Sequence, residues 1–189
     1  MKTVRSFIAI EIPSTIQKNI ETYQQPLRKM GGGVSWVKAK NIHLTLKFLG
    51  DVPETQINDI SNKIFETCAN VPQFKISITG TGFFPNAKRP KIVWVGCQEP
   101  SGTLTILQKT IDARLSEIGF ERETRKFSPH LTIGRIKNPL GIQDMVQKVE
   151  TGKFDGGEFV VREIILMQSQ LHPGGSIYTP LSKINLQTT

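Results

Sequence analysis

The sequence predicts an α+β, bilobal fold: two pseudo-twofold-related antiparallel sheet-and-helix lobes around a central cleft. Three observations predict it. Strand-like and helix-like segments alternate along all 189 residues, with no linker or low-complexity stretch dividing them. The segments His43-Leu44-Thr45-Leu46 and His130-Leu131-Thr132-Ile133 lie 87 residues apart, each on a strand followed by a helix. The length suits one ordinary domain or two small lobes sharing a core, so residues 1–189 are read as a single bilobal domain.

The elements follow in order. Residues 4–11 alternate and are rich in aliphatic and aromatic side chains, which predicts a strand. Ser14 is a plausible N-cap for a helix running to about Met30, which Pro26 must end or kink. Gly31-Gly32-Gly33 breaks the chain, and residues 34–38 are extended. Residues 42–49 form the first motif strand, closed by Gly50-Asp51. Pro53 suits a first helical turn, and Ile57, Ile60, Ile64 and Phe65 recur at helical spacing to about Ala69. Phe74, Ile76 and Ile78 alternate as a strand over 74–79. Gly80-Thr81-Gly82-Phe83-Phe84-Pro85 reads as a turn-rich connection to a strand over 92–97. Leu104, Leu107, Ile111, Leu115 and Ile118 share one helical face, ended by Gly119. Residues 131–136 form the second motif strand, followed by a short helix near 142–149. A long β-type stretch over 159–171, a turn at Pro173-Gly174-Gly175 and a strand over 177–186 complete the chain.

Composition narrows the function classes. Apolar content of 38% and charged content of 21% are those of a soluble globular protein. No apolar run approaches the roughly 20 residues that cross a bilayer. The opening apolar run breaks at Glu11 and Pro13, too early for a signal peptide, so a cytoplasmic protein without a membrane partner is expected. Cys68 and Cys97 lack metal-ligand spacing and are expected to be buried apolar residues. The net charge of +8 suits a nucleic acid or nucleotide partner, although charge alone is also explained by solubility.

The two motifs carry the chemistry. Side chains alternate across a strand, so His43 and Thr45 share one face, about 6.8 Å apart, with Leu44, Leu46 and Phe48 on the other. The same parity joins His130 with Thr132 and puts Leu131 and Ile133 opposite. One neutral imidazole can accept a proton while a charged one donates, and threonine hydroxyls can donate to phosphate oxygens. A phosphodiester site uses all four side chains and needs no metal or cofactor. Packing alone asks for no histidine on the face opposite the apolar one, and two of the three histidines are used in this way. Lys47 falls on the His43 face by simple alternation, where it would add positive charge. Its counterpart is Gly134, so the two halves are unequal. His172 is read as a loop residue.

The chain resembles the two-histidine phosphoesterases, and within them the RNA 2′,3′-cyclic phosphodiesterases also called 2′-5′ RNA ligases. The resemblance lies in residues 5–10, Trp36-Val37, His43 to Gly50, Gly82-Phe83-Phe84-Pro85, Pro90, Val93-Trp94-Val95-Gly96, Phe127 to Arg135, Ser169-Gln170-Leu171, Gly175 and Tyr178. It implies a bilobal fold with both motif strands facing a cleft. It also implies metal-independent hydrolysis of an RNA 2′,3′-cyclic phosphate to a 2′-phosphate, and 2′-5′ ligation when a 5′-hydroxyl attacks instead of water. By motif position, His43 would be the proton donor to the departing 3′-oxygen and His130 the proton acceptor from water. Arg135 would help to hold phosphate, whereas simple alternation turns it away from the histidines. The two agree if the strand ends or bulges near Gly134.

Thr45, Thr132, Lys47 and Arg135 are therefore candidate phosphate ligands. Trp36, Phe83, Phe84 and Tyr178 are candidates for stacking on a terminal base, of which one or two should reach substrate. Two basic loops, Lys88, Arg89, Lys91 and Arg122, Arg125, Lys126, are candidates for an RNA path. Two alternatives share the cleft: a non-catalytic RNA-end or nucleotide-binding module, and a hydrolase of small cyclic-phosphate nucleotides. One chain closing its own cleft needs no second copy, so a monomer is expected.

Overall fold

The computed structural model describes residues 2–173 and 175–188. Its elements are β1 (Thr3–Glu11), α1 (Ser14–Arg28), β2 (Gly33–Trp36), β3 (His43–Pro53), α2 (Ile57–Cys68), β4 (Phe74–Phe84), β5 (Ile92–Gln98), α3 (Thr103–Ser116), β6 (His130–Asn138), α4 (Gln143–Thr151), β7 (Asp155–Val161), β8 (Glu163–Gln170) and β9 (Ile177–Asn185). The strands form one antiparallel sheet in the order β7-β4-β5-β6-β3-β1-β8-β9, with β2 added beside β6.

The sheet is two four-stranded halves joined at the motif strands. Between β3 and β6 the pairing is limited to Leu44 with Leu131. On one side lie β3, β1, β8 and β9, against which α2 and α3 pack; on the other lie β6, β5, β4 and β7, with α1 and α4. The lobes are interlaced rather than sequential, because α1 leaves β1 and crosses to the opposite lobe.

Period-2 patterning places the core. Ile8 and Ile10 of β1, Leu44 and Leu46 of β3 and Leu131 and Ile133 of β6 are buried on the helix-covered face. The predicted face of α3 is buried through Leu104, Leu107, Ile111 and Leu115. Burying a side chain of this size contributes about 1.5–3 kcal/mol each. Phe7 and Ala9 have the opposite parity in β1 and join Ile165, Met167 and Tyr178 in a separate small cluster on the other face. Cys68 and Cys97 are free and buried. Burial pushes the Cys68 thiol up to about 12, as expected of an inert core group.

Several local expectations are corrected. The N-cap of α1 is Pro13, whose carbonyl accepts from the Gln17 amide, and Ser14 is already helical. Pro26 lies within the last turn of α1, which ends at Arg28 rather than near Met30. Gly50-Asp51 does not close β3, which continues to Pro53 in register with β1. Pro53 ends that strand, and α2 begins only at Ile57. The segment from Gly80 to Phe84 is strand, because a bulge at Thr79 and Gly80 (φ +73) lets β4 resume pairing with β5 at Thr81. The stretch over 159–171 is two strands: β7 begins earlier, at Asp155, and breaks from β8 at Arg162. The turn read at Pro173-Gly174-Gly175 lies partly outside the described residues.

Candidate active site

His43 and His130 occupy the first residues of β3 and β6, the two strands that meet at the centre of the sheet. Thr45 and Thr132 follow on the same face, each half-buried like its histidine, between fully buried neighbours. The apolar residues of each motif anchor the strand from one side while the polar pair stays accessible on the other.

The two imidazoles are held by the same device. Nδ1 of His43 donates to the Asn41 carbonyl at 2.9 Å, and Nδ1 of His130 donates to the Ser128 carbonyl at 2.7 Å. A carbonyl oxygen only accepts, so Nδ1 carries the hydrogen in both rings. Nε2 is then the atom left to take or give a proton. The local rule is simple: the carbonyl two residues before each motif sets the tautomer.

A second shared feature lies at the motif's fourth residue. In β3, Ile8 pairs with Lys47 and Ala9 with Thr45, so Leu46 is the extra residue of a bulge. In β6, Val93 pairs with Gly134 and Trp94 with Thr132, so Ile133 is the extra residue. A bulge inverts the alternation beyond it. Phe48 and Arg135, which simple alternation assigns to the core side, emerge on the histidine face and are exposed. Phe48 contacts Phe7, which stacks on His43. Arg135 is near enough for its charge to act on His43.

The same inversion corrects Lys47. It does not face the site: its ammonium is buried on the α3 side, bound to Asp112 Oδ1 at 2.5 Å and to the Glu121 carbonyl at 2.7 Å. The structure therefore removes Lys47 from the candidate phosphate ligands. Trp36 is corrected too. It pairs with Gly134, and its ring lies where a Gly134 Cβ would be, 3.1 Å away, under Arg28 of α1. That is the helix-covered side of β6. Phe83 is 6% exposed and belongs to the core.

Two aromatic candidates do reach the histidines. Tyr178 meets His43 edge-on, with centroids 5.1 Å apart, and Phe84 meets His130 edge-on at 4.8 Å. Each imidazole thus has an aromatic neighbour from its own lobe. Sequence reasoning missed Phe7, 4.7 Å from His43 in stacked geometry, and Trp94, which pairs with Thr132 and lies 5.3 Å from Phe84. A signal for Phe7 existed, because its parity in β1 is opposite to that of Ile8 and Ile10. A cavity of about 220 Å³ adjoins His43, lined among others by Glu11, Asn41, Met167, Ile177 and Tyr178.

Electrostatics tune His43. Burial pushes the His43 imidazole below its ordinary value; the Asn41 carbonyl opposes this and the Arg135 charge adds to it. Arg135→Ala should therefore raise the His43 pKa without restoring it to the ordinary value of about 6.5, since burial remains. An NMR titration of the imidazole checks this, and an unchanged or lower pKa would show that Arg135 does not act on His43.

The family model for the 2′-5′ RNA ligase superfamily matches residues 12–173. The chain belongs to this superfamily. It is 34% identical over 184 residues to the RNA 2′,3′-cyclic phosphodiesterase of Methanothermobacter thermautotrophicus, covering 97% of this chain and 99% of the relative. It is 39% identical over 183 residues to that of Archaeoglobus fulgidus, covering 94% and 98%. Among solved structures, one from Thermus thermophilus superposes with a TM-score of 0.83 at 26% identity, over 97% of this chain and 98% of that one. Escherichia coli LigT complexed with 3′-AMP shares the fold, with a TM-score of 0.80 at 24% identity over 98% and 99%. The superfamily's α+β fold is thus the one the sequence predicted.

Proposed function

We propose that the protein is an RNA 2′,3′-cyclic phosphodiesterase that opens the cyclic phosphate to a 2′-phosphate by acid–base catalysis between His43 and His130. The observation that carries this reading is the matched pair of imidazoles, each with Nδ1 committed to a backbone carbonyl and Nε2 left for proton exchange. The relatives' shared activity supports it.

In the reaction, His130 Nε2 takes a proton from water and the water oxygen attacks phosphorus. The bond from phosphorus to the 3′-oxygen breaks, and His43 Nε2 gives that oxygen its proton. The products are a 2′-phosphate and a 3′-hydroxyl, with His130 protonated and His43 neutral until solvent resets them. Thr45 and Thr132 donate to the non-bridging oxygens, and Arg135 adds a fixed positive charge beside them. The depressed His43 pKa makes it a stronger acid once protonated. Bound phosphate supplies the negative charge that brings the proton there. A 5′-hydroxyl in place of water would give a 2′-5′ linkage by the same route.

No group of three or more His, Cys, Asp or Glu side chains placed to hold a metal ion occurs among the described residues. Chelator therefore belongs in the test. An oligonucleotide ending in a 2′,3′-cyclic phosphate, incubated with the protein and excess chelator, should yield a 2′-phosphate. A 3′-phosphate would reverse the choice of leaving oxygen, and loss of turnover in chelator would overturn the metal-free mechanism. Binding without product in either condition would make the protein a binding module.

A further inference from the structure

The sequence offers two basic loops beside the motif strands, and the structure separates them. In the loop before β6, Arg122 is bound to Asp112 at 2.8 Å and Arg125 to Glu123 at 3.2 Å. Much of that loop's charge is already neutralised within the protein. Lys88, Arg89 and Lys91, at the tip between β4 and β5, are all exposed, and none forms an ion pair among the described residues.

This tip is ordered and placed at the site. Asn86 Oδ1 accepts from the Lys88 and Arg89 amides at 3.0 and 3.1 Å. The Lys91 amide donates to the Phe84 carbonyl at 2.8 Å, and the Lys91 carbonyl accepts from Ile136 of β6 at 2.9 Å. Phe84, at the root of the tip, touches His130. Ile92, the next residue after Lys91, pairs with Arg135. The three cations therefore sit on a tip joined to the site through Phe84 and Ile92, with Lys88 in the wall of a cavity that it shares with Glu150 of α4.

The opposite end of the site is built differently. Beside His43 the cavity wall carries Lys40 and Glu11, the latter paired with Lys183 at 3.6 Å, and the turn into β9 is latched by Asn41 Nδ2, which donates to the Ser176 carbonyl at 2.7 Å. A phosphate chain leaving that way would meet the latched turn, whereas the β4–β5 tip offers three adjacent cations without an ion-pair partner among the described residues. A cyclic phosphate ends an RNA at its 3′ side, so the remaining strand departs in one direction only.

We infer that the RNA strand 5′ to the cyclic end leaves the site on the His130 side and runs over the β4–β5 tip, with Lys88, Arg89 and Lys91 neutralising its phosphates. The inference rests on the proposed activity and adds the strand's direction and contacts. It makes recognition of the chain separable from the chemistry at its end.

The test compares a nucleoside 2′,3′-cyclic phosphate with an oligonucleotide carrying the same end. For the Lys88→Ser/Arg89→Ser/Lys91→Ser variant, the oligonucleotide KM should rise at least about tenfold at low salt. The slope of log KM against log salt should fall by about 2, since each lost single-strand contact removes about 0.7. The mononucleotide kcat/KM should stay within about twofold, as that substrate has no chain to hold. Arg125→Ser should alter neither substrate. Equal losses on both substrates, or an unchanged oligonucleotide KM and salt slope, would overturn the inference while leaving the activity standing. A parent protein that hydrolyses neither substrate would overturn the activity, and the inference with it.

Discussion

His43→Ala and His130→Ala are each expected to slow hydrolysis of a cyclic-ended RNA by about 10²–10⁴-fold, the usual contribution of one positioned proton donor or acceptor. The cost should fall on kcat more than on KM, because proton transfer belongs to the transition state and the threonine hydroxyls proposed to hold the phosphate remain. The fold should survive both changes. Each histidine is half-buried at the start of its strand, and the adjoining core residues Leu44 and Leu131 are untouched. Circular dichroism and a denaturant melt would verify this, while single-turnover rates on an oligonucleotide give the loss. A variant that reacts at the parent rate removes its histidine from the mechanism.

Asp112→Ala is expected to destabilise the protein by about 3–5 kcal/mol, the cost of breaking a buried ion pair from one side. Lys47 and Asp112 have side chains only 7% and 6% exposed. Without the carboxylate, the Lys47 ammonium stays buried with the Glu121 carbonyl as its remaining partner. The Glu123 amide and Arg122 lose their anchor as well. Burial pushes the Asp112 carboxyl up, but Lys47, the Glu123 amide and Arg122 outweigh it and hold it below the ordinary carboxylate range. A carboxyl depressed in the folded state stabilises above its unfolded pKa of about 3.9, and that contribution disappears as pH falls through the folded value. Urea melts should therefore show the parent approaching Asp112→Ala at low pH. Equal stability of the two proteins at pH 7 would refute the buried-pair account. Replacing both partners, as in Lys47→Met/Asp112→Leu, should recover much of the loss.

What the sequence made legible follows physical periodicity. His43, Thr45, His130 and Thr132 were placed on one face by strand alternation, and the apolar face of α3 by helical spacing. Alternation failed past Leu46 and Ile133 because a bulge inserts one residue without a residue type that marks it. In β3 that unforeseen bulge misplaced Lys47 and Phe48, whereas in β6 a bulge near Gly134 was one of the expected ways to bring Arg135 to the histidine face. Trp36 was misassigned for another reason. Which side of the sheet it covers depends on β2 pairing with β6 about 100 residues later, and no local pattern encodes that partner. The Gly-rich segment at 80–84 read as a turn because glycine density marks both turns and bulged strands. Interlacing of the lobes was likewise hidden, since the return of β8 to β1 is a long-range pairing.

The proposed mechanism makes the two imidazoles one unit around a phosphate, and the His43→Ala/His130→Ala double variant addresses that unit most directly. Groups acting together in one transition state lose nearly everything when either is removed. The double variant should therefore hydrolyse a cyclic-ended oligonucleotide about as slowly as the slower single variant. A double-variant loss equal to the product of the two single losses would contradict a shared acid–base step and show two independent contributions instead.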